Sequence, residues 1–142
     1  MPDRTFPVLT ALLAATLLAP ASAQNQPDGF RTPSGNLHCQ AFRLDEGASL
    51  RCDIRKMSNR PPARPRDCDL DWGRAFEVSE ERSPAVRLCH GDTVMDDSLP
   101  FLAYGTSWRR YGFTCNSERT GVTCRNAHGN GFELSRARQQ LF

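Results

Sequence analysis

From residue 37 onward the chain alternates apolar and polar residues in short runs separated by turn-forming residues, the pattern of half-buried β-strands. In "NLHCQAFRLDEGASLRCDI", Leu37, Cys39 and Ala41 share one face at period two, and Leu50, Cys52 and Ile54 share one on the return. Residues 45–48, "DEGA", form the turn, with Gly47 available for positive φ. The pattern predicts a β-hairpin with Cys39 and Cys52 facing each other. A second, looser hairpin is predicted in "DWGRAFEVSEERSPAVRLC", with Phe76 and Val78 alternating on one arm and Val86 and Leu88 on the other. The third is "YGFTCNSERTGVTCRN", where Phe113 and Cys115 face the same way as Val122 and Cys124 across the "SERTG" turn. "GNGFELS" reads as a further strand carrying Phe132 and Leu134, and "SRARQQLF" as a short helical turn capped by Ser135.

The remaining segments lack such periodicity. Residues 24–35 read as an irregular lead-in, and residues 90–112 as loop with the apolar island "LPFLAYG". Residues 55–66, "RKMSNRPPARPR", contain three prolines and read as a linker or extended loop. The first and third hairpins share a plan: Gly, an apolar residue, Cys, a turn, an apolar residue, any residue, Cys. Either two related hairpins pack face to face, or the shared plan is the common grammar of stapled hairpins.

The N-terminus sets the expected compartment. Arg4, the apolar run "FPVLTALLAATLLAP" and the small residues Ala21–Ala23 make a secretory leader over residues 1–23, too short to span a membrane. Its removal from the 142-residue chain leaves 119 residues, 24–142, enough for one domain with a modest core. The formal charge of +2 is unchanged by that cleavage, because Asp3 and Arg4 leave together, and it is too weak to name a partner. All six cysteines follow the leader, and an even count in an exported chain reads as three disulfides. Six cysteines allow 15 pairings. The hairpins favour Cys39–Cys52, Cys68–Cys89 and Cys115–Cys124, although the strands flanking the middle pair do not place Cys68 opposite Cys89 in a simple register. Non-local pairing of the two hairpins remains open. Zinc is disfavoured: the chain has no C-x2-C, and His38–Cys39 and Cys89–His90 are neighbours that point to opposite faces of a strand. No cofactor is expected.

The segments "FRTPSGNLHC", "LRCDI", "CDLDWG", "CHGDTV", "LPFLAYG", "GFTCNSERTGVTCRN" and "GNGFELSRARQQLF" occur in this order. Together they resemble an uncharacterised bacterial secreted domain of unknown function, over residues 30–142. The resemblance implies an exported single domain with paired cysteines, and brings no catalytic residues with it.

Candidate chemistry is sparse. Ser34, His38 and Cys39 lie close in "TPSGNLHC", but no G-x-S-x-G elbow accompanies them, and Pro-Ser-Gly-Asn is turn composition. Asp67, Asp69 and Asp71 begin like a calcium loop, yet Trp72 and Val78 stand where an EF-hand needs Gly and Glu. His90, Asp92, Asp96 and Asp97 offer groups for acid–base or metal chemistry, and a hydrolase would use His90 with Asp92 and Asp97 in one cleft. His128 sits among glycines in a turn. Arg55, Lys56, Arg60, Arg64 and Arg66 form an acid-free basic run suited to weak contact with anionic surfaces. "WRRY", Trp108 with Arg109, Arg110 and Tyr111, combines residue types enriched at binding hot spots. The expectation is an all-β, disulfide-stapled domain of hairpins with long loops, secreted or periplasmic. It would bind an unknown envelope or extracellular partner through Trp108–Tyr111. An envelope hydrolase and a purely structural surface domain are the alternatives.

Overall fold

The computed structural model describes Pro2 and residues 27–142; apart from Pro2, the leader at residues 1–23 lies outside the described residues. Among the described residues, ten strands form two antiparallel five-stranded sheets, and each sheet is a simple meander. The first holds β1 (Gly29–Arg31), β2 (Leu37–Leu44), β3 (Gly47–Ile54), β4 (Asp71–Ser79) and β5 (Val86–His90). The second holds β6 (Thr106–Arg110), β7 (Phe113–Glu118), β8 (Gly121–Arg125), β9 (Gly131–Leu134) and β10 (Gln139–Leu141).

The expected hairpins are β2–β3, β4–β5 and β7–β8, and all three disulfides join the expected partners. Cys39–Cys52 and Cys115–Cys124 bridge directly opposed residues, each with Cα atoms 4.1 Å apart. Cys68 reaches Cys89 from the loop before β4, where it is held by its own N–H donating to Pro65 O. Because Cys68 precedes β4, Trp72 and not Cys68 stands opposite Cys89, and Gly73 further shifts the register of this hairpin. At φ 107° this glycine forms an irregularity between Trp72 and Phe76, and a side chain there would strike Pro61.

Three elements differ from expectation. β1 lies in the supposed lead-in and β6 in the supposed loop around "WRRY". Each is an edge strand that contributes one aromatic residue to the core, which is too little for a visible period of two. The C-terminal segment forms β10 rather than a helical turn. Ser135 Oγ bonds both the N–H and the carbonyl of Arg138, closing a tight turn that returns the chain along β9. The expected apolar face of β5 is also absent: Val86 is 50% exposed, and Arg87 instead lies over the Phe76 ring.

The core is the space between the sheets. A lateral row, Phe30–Cys39–Cys52–Phe76, crosses β1 to β4. Its counterpart, Trp108–Cys115–Cys124–Phe132, crosses β6 to β9. All eight residues are buried, and the rows lie on one another. Phe30 meets Trp108 at 5.3 Å between ring centroids and Phe76 meets Phe132 at 6.4 Å. Between them the Sγ atoms of Cys39, Cys52 and Cys124 lie within 4.8 Å of one another, all three committed to disulfides. The two stapled hairpins therefore pack face to face. Equivalent strands are superposed and run in opposite directions, so the halves are related by a pseudo-two-fold axis along the two rows. Gly131 allows β9 to close on β8, since a Cβ there would meet Cys124 O.

One long connection is not part of this symmetry. Residues 91–105 leave β5, cross the outer face of the first sheet as a strap, and reach the free edge of β1. There Arg31 bonds Pro100 O and accepts from Leu102 N–H. Beneath the strap, alternation places His38, Gln40, Arg51 and Asp53 on the face away from the core. Gln40 Nε2 donates to Val94 O, and Asp53 accepts from Thr93 Oγ1 and Val94 N–H. Arg51 forms a bidentate pair with Asp53 and also reaches Asp92 at 2.7 Å. The side chains of His38, Gln40, Arg51 and Asp53 each find a partner in the strap or beside it, which is the condition for burying such groups.

Candidate binding cleft at the basic end of the sandwich

The strap disposes of several candidate residues. His38 is fully buried, with Nδ1 accepting from Asp96 N–H and Nε2 donating to Gly35 O, so the tautomer protonated at Nε2 satisfies both. Ser34 bonds Thr32 Oγ1 and Asn36 N–H within the turn from β1 to β2. His90 Nδ1 and Asp92 lie at Arg51, whereas Asp97 lies at Arg55, 3.2 Å away, and near Arg31 and His38. The guanidinium of Arg51, by hydrogen bond and by charge, holds the Asp92 carboxyl below the usual carboxylate range. Ser98 does the same for Asp96. A carboxyl pushed in that direction stays ionised near neutral pH and is a weaker proton acceptor there, and His90, Asp92 and Asp97 are not gathered around one space.

The "WRRY" segment is also placed differently from expectation. Trp108 is 3% exposed, packed against Phe30 with its indole N–H donating to Pro27 O, so it belongs to the core. Alternation along β6 then turns Arg109 to solvent. Arg110 bonds Asp28 at 2.6 Å, and Tyr111 OH shares the same carboxylate. That carboxylate pushes the Arg110 guanidinium further toward its charged form. Asp67, Asp69 and Asp71 stand exposed around Cys68, and His128 is an exposed turn residue between β8 and β9.

The basic run is an ordered loop rather than a free linker. Asn36 acts as an extra rung of the β2–β3 ladder, with its amide bonding both the N–H and the carbonyl of Lys56. Ser58 donates to Arg136 O from both its backbone and its hydroxyl, and Asn59 and Gln139 exchange amide bonds at 2.9 Å. Trp72 Nε1 holds Pro62 O at 3.0 Å. These bonds bring Lys56 to the β9–β10 turn that carries Arg136.

There, at one end of the sandwich, a cleft of about 370 Å³ opens between the β1–β2 turn, the start of the basic loop and the β7–β8 and β9–β10 turns. Lys56, Arg119 and Arg136 line it, with Glu118 as the one acid. None of the three cations forms a salt bridge with a described residue. Tyr104 forms part of the wall, with the Arg119 guanidinium over its ring at 5.1 Å. Arg60, Arg64 and Arg66 stand exposed further along the same loop, also without salt bridges to described residues.

The pseudo-two-fold axis carries this cleft onto a second one at the opposite end, bounded by the β2–β3, β4–β5, β6–β7 and β8–β9 connections. Arg43 is the counterpart of Arg119, each four residues after the first cysteine of its hairpin, and it too lies over a tyrosine, Tyr111, at 5.0 Å. The second cleft carries Glu80 and Glu81 in the β4–β5 turn, with Glu80 standing where the first carries Arg136 and His128 where the first carries Lys56. Asn126 Nδ2 ties that acidic turn down through Ser79 O and Glu81 O. Tyr104, Arg119 and Arg136 had no signal in the linear sequence. Each is an ordinary turn or loop residue until the two sheets are packed.

These features define an all-β, three-disulfide domain with a basic cleft at one end. The chain belongs to DUF6636, a family of unknown function, whose model matches residues 8–142. No curated protein and no solved structure matches it. Among the described residues no helix is long and apolar enough to cross a membrane, and three disulfides fit an oxidising, extracellular type of environment.

Proposed function

We propose that this protein is an exported, non-enzymatic binding module of the bacterial envelope or extracellular space, and that it captures an anionic ligand in the basic-end cleft. The observation that carries this reading is the gathering of Lys56, Arg119 and Arg136 around one cavity with a single acid, Glu118, and with no salt bridge to a described residue. Unpaired cations around a concavity focus the field and raise the local concentration of anions. The leader read at residues 1–23 supplies the export route, and the three disulfides suit its destination. The mature chain then begins at Gln24, which N-terminal sequencing of the exported protein checks.

Capture of acidic envelope polymers by the exported protein tests the binding reading. Retention should fall as salt rises, because exposed charges are screened. The triple variant K56E/R119E/R136E should lose retention while keeping its disulfides and its unfolding transition. Equal retention by this variant overturns the reading.

A further inference from the structure

We infer that the ligand of this cleft is an acidic saccharide chain, with uronate-type carboxylates as the recognised charge; this rests on the cleft being the binding site. Its volume of about 370 Å³ is near the lower end of the range of small-molecule sites, about 300–1,000 Å³, and suits one or two sugar residues rather than a large ring system. Its lining pairs charge with hydroxyl recognition. Ser34 Oγ is held by Thr32 Oγ1 and Asn36 N–H, and Ser135 Oγ by the carbonyl and N–H of Arg138, so each keeps a fixed acceptor lone pair, and Thr120 adds a third hydroxyl to the lining. Oriented acceptors of this kind match sugar hydroxyls and reduce the ordering cost of binding.

The charge suits carboxylates. The planar forks of Arg119 and Arg136 engage a carboxylate through two parallel hydrogen bonds, and Lys56 adds a point charge. Tyr104 supplies the aromatic surface: Arg119 lies over one face of its ring, and the C–H face of a sugar ring would pack on the other. A nucleic acid would call for several stacking platforms along a groove, whereas this cleft has one aromatic wall. The ligand is a chain rather than a single residue because positive charge continues out of the cleft along the loop, through Arg60, Arg64 and Arg66.

Titration calorimetry of the exported, disulfide-bonded protein against three probes tests this: a short polygalacturonate, its methyl ester, and inorganic polyphosphate. The polygalacturonate should bind, with the ester weaker by about tenfold or more. Y104A should weaken the uronate by about tenfold and leave polyphosphate unchanged. Saturation-transfer NMR on the unmodified protein reads the same contact without a variant, and saturation should pass to C–H protons of the sugar ring. If polyphosphate binds as well as the uronate, Y104A changes neither, and no ring proton is saturated, the saccharide class is overturned while the anion cleft stands. If K56E and R119E change the binding of no probe, the cleft itself is overturned and the inference falls with it.

Discussion

The two sheets are built on one plan and have been put to different uses. Each has an aromatic–Cys–Cys–aromatic row, an edge strand with one core aromatic, and an arginine following the first strand of its stapled hairpin. Their inner faces are close to interchangeable, while their outer faces differ. The first sheet buries His38, Arg51 and Asp53 beneath the strap. Among the described residues, no strap crosses the second sheet. The inner face is determined by packing, which admits few solutions. The outer face and the turns are free to diverge, so the clefts at the two ends differ in charge.

The sharpest way to break this comparison is to empty the same position in both halves. Phe76 and Phe132 are fully buried and packed against each other with their rings tilted by 54°. F76A and F132A should each destabilise by about 3–5 kcal/mol in denaturant unfolding, with similar values for the two. A near-neutral result for either would show that the halves are not energetically equivalent.

The next largest effect should be confined to one half. Arg51 is 8% exposed and bonded to Asp53 and Asp92. Its removal leaves Asp53 buried without its cation, at a cost of about 3 kcal/mol or more. R51A should therefore loosen the strap, seen as faster hydrogen exchange at Val94 and Asp96. The amides of β7 and β8, which have no such clamp, should change little by comparison. A uniform change across both sheets would mean that Arg51 supports the whole sandwich rather than the strap.

The smallest effect distinguishes core staples from the peripheral one. Cys39, Cys52, Cys115 and Cys124 are fully buried, whereas Cys89 is exposed. Mild reduction with alkylation mapping should open Cys68–Cys89 first, since thiol attack needs access. The transition of the sandwich should remain cooperative after that step. Simultaneous loss of all three bridges would show that the outer bridge is needed to hold the sheets together.

Much of the architecture was legible because disulfide pairing and period-two alternation are local. Cys39 and Cys52 lie symmetrically about a turn, and Leu37, Ala41, Leu50 and Ile54 mark the inner face without knowledge of the other sheet. β1 and β6 were not legible, because a strand with a single core residue has no period to detect. The site was hardly legible at all. "WRRY" has the composition of a contact surface, yet Trp108 is needed opposite Phe30, and composition cannot show which side of an edge strand faces the core. Lys56 belongs to a charge run in the sequence, but its neighbours in space come from positions near 34, 104, 119 and 136.

What the sequence determined by itself was the set of stapled hairpins, their inward faces and their bridges, because those depend on residues a few positions apart. The face-to-face packing along a shared axis, the burial of His38 and Arg51 under the strap, and the meeting of Lys56, Arg119, Arg136 and Tyr104 were decided only by the tertiary structure. The reason is physical: these arrangements come from closing one hydrophobic core between two sheets, and turns distant in sequence become neighbours only when that core closes.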